Sequence, residues 1–193
     1  MTIQIFIRFV ALLFVLYFDF IFFYIQIINP EYSYKENLLS KYVNKRKGML
    51  LKIAFVLFGI AEILLFLVLD SKNAINGFLL LLSGIGIFIA GLFDGNLYNK
   101  KTIKTNIHLI SAFMQLAFFP IYMITLFVFP LENINRILIL TLGIISAIFG
   151  IALFCIYSFN QNLKNQIIGI IQKSEIFVIS LGLKYIIVFS MKS

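Results

Sequence analysis

Six stretches of this chain are long and apolar enough to cross a lipid bilayer, and that feature constrains the fold more than any other. A bilayer core about 30 Å thick needs about 20 consecutive apolar residues in helical form. The runs are Ile5 to Ile28, Met49 to Leu69, Ala74 to Phe93, Ile107 to Phe129, Ile134 to Phe159 and Glu175 to Met191. Polar or turn-forming residues close most of them: Asn29-Pro30, Asp70-Ser71-Lys72-Asn73, Asp94-Gly95-Asn96 and Pro130. The expected architecture is all-α, an integral membrane bundle of six transmembrane helices in one domain spanning residues 1–193. The first run is too long for a signal-peptide core and is followed by Asn29-Pro30-Glu31 rather than a small-residue cleavage pattern, so it reads as a retained helix.

Composition supports this. Apolar residues make up 62% of the chain and charged residues 12%, about half the charged share of a soluble domain. Mean hydropathy is +1.03. The net charge of +8 therefore sits in connections that meet lipid headgroups, and no soluble basic domain exists to bind nucleic acid. The richness in Ile, Asn, Lys and Phe suggests an AT-rich bacterial genome, hence a plasma-membrane protein. Cys155 is the lone cysteine, which excludes an internal disulfide and reads as a small apolar packing residue.

The connections alternate in length. Those after runs two and four are short; those after runs one, three and five (29–48, 94–106 and 160–174) are long. Three long connections thus share one membrane face and both termini the other. The long connections carry most of the lysines, among them Lys35, Lys41, Lys45, Lys47, Lys100, Lys101, Lys104, Lys164 and Lys173. The positive-inside rule places that face in the cytoplasm. Function concentrates on loops held by a rigid scaffold, so this face is the expected mouth of a site.

Close helix packing in lipid needs small residues. Gly143, Ser146, Ala147 and Gly150 form one stripe on run five, where a neighbouring or partner helix can approach. Gly84, Gly86 and Ala90 on run three are less well aligned. Pro120 should kink run four and leave a carbonyl to be satisfied nearby.

Three ionisable residues lie deep. Asp19, Glu62 and Lys184 all fall about 14–20 Å from the face of the long connections at 1.5 Å per helical residue. An unpaired charge at such depth costs at least about 3 kcal/mol. Lys184 is therefore expected to pair with Glu62, Asp19 or both. Run four has a polar face made of His108, Ser111, Gln115, Tyr122 and Thr125, which should point into protein or water. Asp94 sits at a helix C-terminus, where the dipole disfavours an anion. Pairing with His108 would compensate and would make the site pH-responsive. A single histidine excludes bis-histidine haem ligation within one chain. No phosphate-binding glycine loop and no Ser-His-Asp order are present, so neither a cofactor nor a metal is expected.

The ordered set Asn29-Pro30-Glu31-Tyr32-Ser33, Asn37-Leu38-Leu39-Ser40, Ile89-Ala90-Gly91-Leu92-Phe93-Asp94 with His108, and Gly169-Ile170-Ile171-Gln172-Lys173 resembles the bacterial membrane family called domain of unknown function 998. The resemblance implies a six-helix membrane bundle and supplies no reaction. It departs at three places. No proline follows Phe93, Lys41-Tyr42-Val43 replaces a Glu-Leu-Gly after Ser40, and Lys173 stands for an arginine.

These features together suggest a membrane protein that binds a small or lipid-like molecule in a polar pocket between helices. Ser40, Asp94, His108 and Lys173 would stand round its mouth, and Asp19, Glu62, Gln115 and Lys184 deeper inside. Two alternatives are a membrane enzyme using Asp94 and His108 as an acid–base pair on a lipid, and an accessory protein or homo-oligomer that docks a partner helix on the Gly143–Gly150 stripe. The pocket reading requires a cavity lined by Gln115, Glu62 and His108; the docking reading requires an exposed groove of small residues.

Overall fold

In hydrocarbon the backbone has no water to bond, so a run of apolar residues closes its hydrogen bonds within a helix. The computed structural model has six such helices: α1 (Ile3–Ile27), α2 (Gly48–Val68), α3 (Ala74–Leu92), α4 (Ile103–Val128), α5 (Arg136–Phe159) and α6 (Gln161–Ser190), with a 3-10 turn at Leu39–Asn44. The structure describes residues 2–31, 35, 37–69, 73–93, 102–129, 131, 134–159 and 161–191, without the side chains of 40, 41, 44, 157, 159 and 161–166. No strand occurs among the described residues. Helices α1 to α5 are each long and apolar enough to cross a membrane. The chain is a multi-pass membrane protein built as a helical bundle.

Successive helices pack side by side, and α6 returns to α1, with a smaller contact to α4. Named contacts fix the alternation of ends. Arg8, near the start of α1, is buried and donates to the carbonyls of Val68 at 3.3 Å and of Ser190. A cation thus sits on the C-terminal ends of α2 and α6, where the helix dipoles favour it. Asn76 Nδ2 reaches the Phe129 carbonyl at 3.0 Å, and Tyr185 Oη accepts from Asn135 N at 2.9 Å. These contacts bring the starts of α1, α3 and α5 and the ends of α2, α4 and α6 to one end of the bundle.

Two boundaries move. Helix α4 begins at Ile103 rather than Ile107, because Thr102 Oγ1 accepts from Thr105 N at 3.2 Å and caps it. The expected connection 160–174 is almost entirely helix, since α6 starts at Gln161. Residues 161–174 lack proline and carry Leu163, Ile167, Ile168, Ile170 and Ile171 at helical spacings, and their polar content hid the helix from an apolar-run criterion. At 30 residues, α6 is about 45 Å long and outreaches a bilayer core. Helix α4 continues through Pro120.

The closest helix approaches lie on α2, α3 and α4 rather than on α5. A Cβ at Gly59 would stand 2.6 Å from Phe88 N and 2.7 Å from Gly84 O; one at Gly86, 2.7 Å from Ser111 O; one at Gly91, 2.8 Å from Val56 N. Backbone touches backbone at each, which only a residue without a side chain permits. At Gly182 the nearest atom is instead Met123 Sδ, at 2.5 Å, the end of a flexible side chain. Gly59→Ala is therefore expected to lower thermal stability in detergent by an amount equivalent to about 1–3 kcal/mol, and Gly182→Ala by distinctly less. Equal losses in a melting series would contradict this account.

Candidate functional site

The face of the long connections is built around α6 and the segment before α2. Asn29 Nδ2 bonds the Ile25 carbonyl at 2.8 Å and the Arg46 carbonyl at 3.4 Å, tying the end of α1 to the turn that starts α2. Lys47 there has φ 58°, and Gly48 follows because a Cβ would collide with the Val43 carbonyl. Leu39 N donates to Gln172 Oε1 at 2.8 Å, and Ile170 N to the Lys35 carbonyl at 3.1 Å. A Cβ at Gly169 would lie 2.6–2.7 Å from Asn37 O, Asn37 N and Lys35 O. Lys173 is fully buried, with Nζ 5.1 Å from the centre of the Tyr42 ring. The two sequence elements Asn37-Leu38-Leu39-Ser40 and Gly169 to Lys173 are thus in direct contact. Ser40 lies in the 3-10 turn, and its side chain is outside the described residues.

His108 is buried at this same end, where α4 begins beside the end of α3. Its Nδ1 is 2.9 Å from both the Ala90 and Phe93 carbonyls. Carbonyls only accept, so Nδ1 carries the proton and caps the last turn of α3. Asp94 lies outside the described residues, and so does the expected Asp94–His108 pair.

Deeper in the bundle the polar residues separate into three groups. Asp19 takes Lys184, at 2.6 Å, and also accepts from Ser180 Oγ at 2.6 Å. This joins α1 to α6. Glu62 does not share the lysine. It is fully buried between α2, α3 and α4, faced by Ser83 and Gln115, yet no hydrogen bond reaches either carboxyl oxygen. The polar face of α4 does turn inward: His108, Ser111, Gln115 and Tyr122 are all buried.

Sequence reading missed the third group. Glu175 is fully buried, and neither of its oxygens has a hydrogen-bond partner. Its Oε1 lies 2.7 Å from where a Cβ of Gly150 would be. At the edge of an apolar run it read as a boundary residue; the helix extending fourteen residues before it places it inside. Beside it, α4 and α5 enclose a cavity of about 340 Å³ lined by Phe113, Leu116, Pro120, Ala147, Gly150 and Phe154 among others. This cavity is apolar, unlike the polar pocket expected among Gln115, Glu62 and His108. Of the stripe on α5, Gly143 packs against Ile124 and Met123 of α4, Ser146 is fully buried, and Ala147 and Gly150 line the cavity. Among the described residues no cluster of three His, Cys, Asp or Glu could hold a metal.

A family model described as a protein of unknown function, DUF998, matches residues 10–188. The chain belongs to this family. No curated protein and no solved structure matches it. For this DUF998 protein the family adds no reaction, so the geometry must carry the functional reading.

Two outcomes follow from these contacts. Removing one partner of the half-buried Asp19–Lys184 pair leaves a charge at membrane depth, so Asp19→Asn is expected to cost about 3 kcal/mol, and Asp19→Asn with Lys184→Met to recover most of it; a double-mutant cycle on thermal unfolding reads the coupling. Gly169→Ala should push the 35–39 backbone off α6 and raise the rate of trypsin cleavage between Lys35 and Lys47 several-fold over the parent protein, with unchanged cleavage contradicting the latch.

Proposed function

We propose that this protein is a bacterial plasma-membrane protein that holds a lipid-like molecule by its apolar chain in the groove between α4 and α5. The observation that carries the reading is the cavity itself, about 340 Å³ in volume and walled by apolar side chains. That size falls at the lower end of small-molecule sites. Its rim residues Ile121, Ile151 and Phe154 are exposed on the outer surface of the bundle, which faces hydrocarbon in a bilayer. A flexible acyl-like chain fits such an opening. The lysine-rich long connections support placing that end of the bundle in the cytoplasm.

A second reading has one supporting observation. Ala117, Pro120, Ala147 and Gly150 are small and line the same groove, so a partner helix could seat there. The acid–base enzyme reading has none among the described residues, since its Asp94 lies outside them.

The absence of tryptophan gives a direct test. A tryptophan placed at Ile121 should be quenched by a brominated fatty alcohol in detergent in a titration that saturates near one equivalent, whereas one placed at Phe9 on α1 should be quenched only weakly and without saturation. Equal, non-saturating quenching at both would remove the lipid-like ligand, and a stoichiometric self-association that blocks quenching at Ile121 would favour the helix-docking reading.

A further inference from the structure

Beside the groove between α4 and α5, parted from it by Gly150, lie hydrogen-bond acceptors that no described residue satisfies. Both oxygens of Glu175 and the Oγ of Ser146 are fully buried and have no partner. Ser146 is one helical turn from Gly150 on the same face of α5. A third acceptor arises from chain chemistry. Pro120 has no N–H, so the Leu116 carbonyl, four residues earlier on α4, lacks the donor a regular helix would give it. That carbonyl oxygen lies 3.3 Å from the Cβ position of Gly150, and Glu175 Oε1 lies 2.7 Å from it. Leu116, Pro120 and Gly150 all line the groove. Gly150 has no side chain, so groove and carboxylate meet across its α-carbon.

The nearby cations are engaged elsewhere. Lys184 bonds Asp19, and Lys173, two residues before Glu175, lies over Tyr42. A buried carboxylate without a cation is costly in an apolar medium. A positively charged donor on an apolar body would supply the partner that Glu175 lacks among the described residues.

We propose that the groove takes a single-chain lipophilic amine, its chain between α4 and α5 and its protonated amino group on Glu175, Ser146 and the Leu116 carbonyl. This rests on the groove reading above and names its ligand class. A free amphiphile suits the site better than a phospholipid headgroup. Gly150 lies nine residues before the end of α5, about 14 Å along the helix from that surface, and a headgroup anchored at the interface would have to descend that far.

The test uses the purified full-length protein in lipid nanodiscs with tritiated dodecylammonium as probe. Binding should be saturable and displaced by unlabelled dodecylammonium. Dodecyltrimethylammonium, which has no N–H, and dodecanoate should each compete at least tenfold more weakly. Glu175→Gln should weaken dodecylammonium binding at least tenfold while leaving saturable quenching of a tryptophan at Ile121 by the brominated alcohol unchanged. Ala147→Leu, which fills the groove, should abolish both. If Glu175→Gln does not fold, Glu175→Asp, shorter by one methylene, should still weaken the amine selectively. Amine binding that is indifferent to Glu175, or matched by dodecanoate, overturns the proposal while the groove reading survives on its quenching signal. Loss of that signal in the parent protein removes the groove reading first. Competition by phosphatidylethanolamine nanodiscs over phosphatidylcholine nanodiscs would overturn the assignment to a free amine.

Discussion

Hydrocarbon offers no hydrogen bonds, and the whole molecule is arranged around that fact. A polar atom inside the bundle is costly unless another part of the chain meets it. The clearest case is Asp19, whose two oxygens take Ser180 and Lys184 from one face of α6. Arg8 does the same work at one end, closing the carbonyls that α2 and α6 leave open. His108 closes those of α3 at the other. These helix ends and charges each have a neighbour, whereas the carboxyl oxygens of Glu62 and Glu175 have no hydrogen-bond partner among the described residues.

Where lipid competes on equal terms with side chains, contact must come from shape. The backbones of α2, α3 and α4 touch through Gly59, Gly84, Gly86 and Gly91. This tight group contains Glu62 and the polar face of α4. Helix α5 is less enclosed: only 22% of its apolar window is buried, against 50% for α2. The looser fit of α5 on α4 leaves the groove. Rigid packing on one side of the bundle and slack on the other thus come from where the glycines fall.

Much of the fold was legible in the chain. Six apolar runs gave six helices and their even number gave the sharing of ends, but the third long connection, 160–174, is the start of α6. The inward polar face of α4 and the deep pairing of Lys184 were also readable, because an apolar solvent leaves few options for such residues. The partner of Lys184 was not readable, since depth along a helix does not fix rotation about it. The start of α6 was missed because hydropathy measures affinity for lipid, and residues 161–174 interleave Gln, Asn and Lys with their apolar positions. Glu175 was missed for the same reason. The groove could not be read at all, as a cavity depends on how two helices fit, which is a property of neither sequence alone.

Helix α6 carries Gly169, Glu175 and Lys184 on one continuous rod. Gly169 is clasped by the 35–39 backbone at the surface, Glu175 borders the groove, and Lys184 holds α1. A helix is stiff along its axis, so these three points shift as a unit. At 1.5 Å per residue about 22 Å of helix separates the surface segment from the ion pair, with the groove beside it. One rod thus ties a surface turn, the wall of the groove and a half-buried ion pair together.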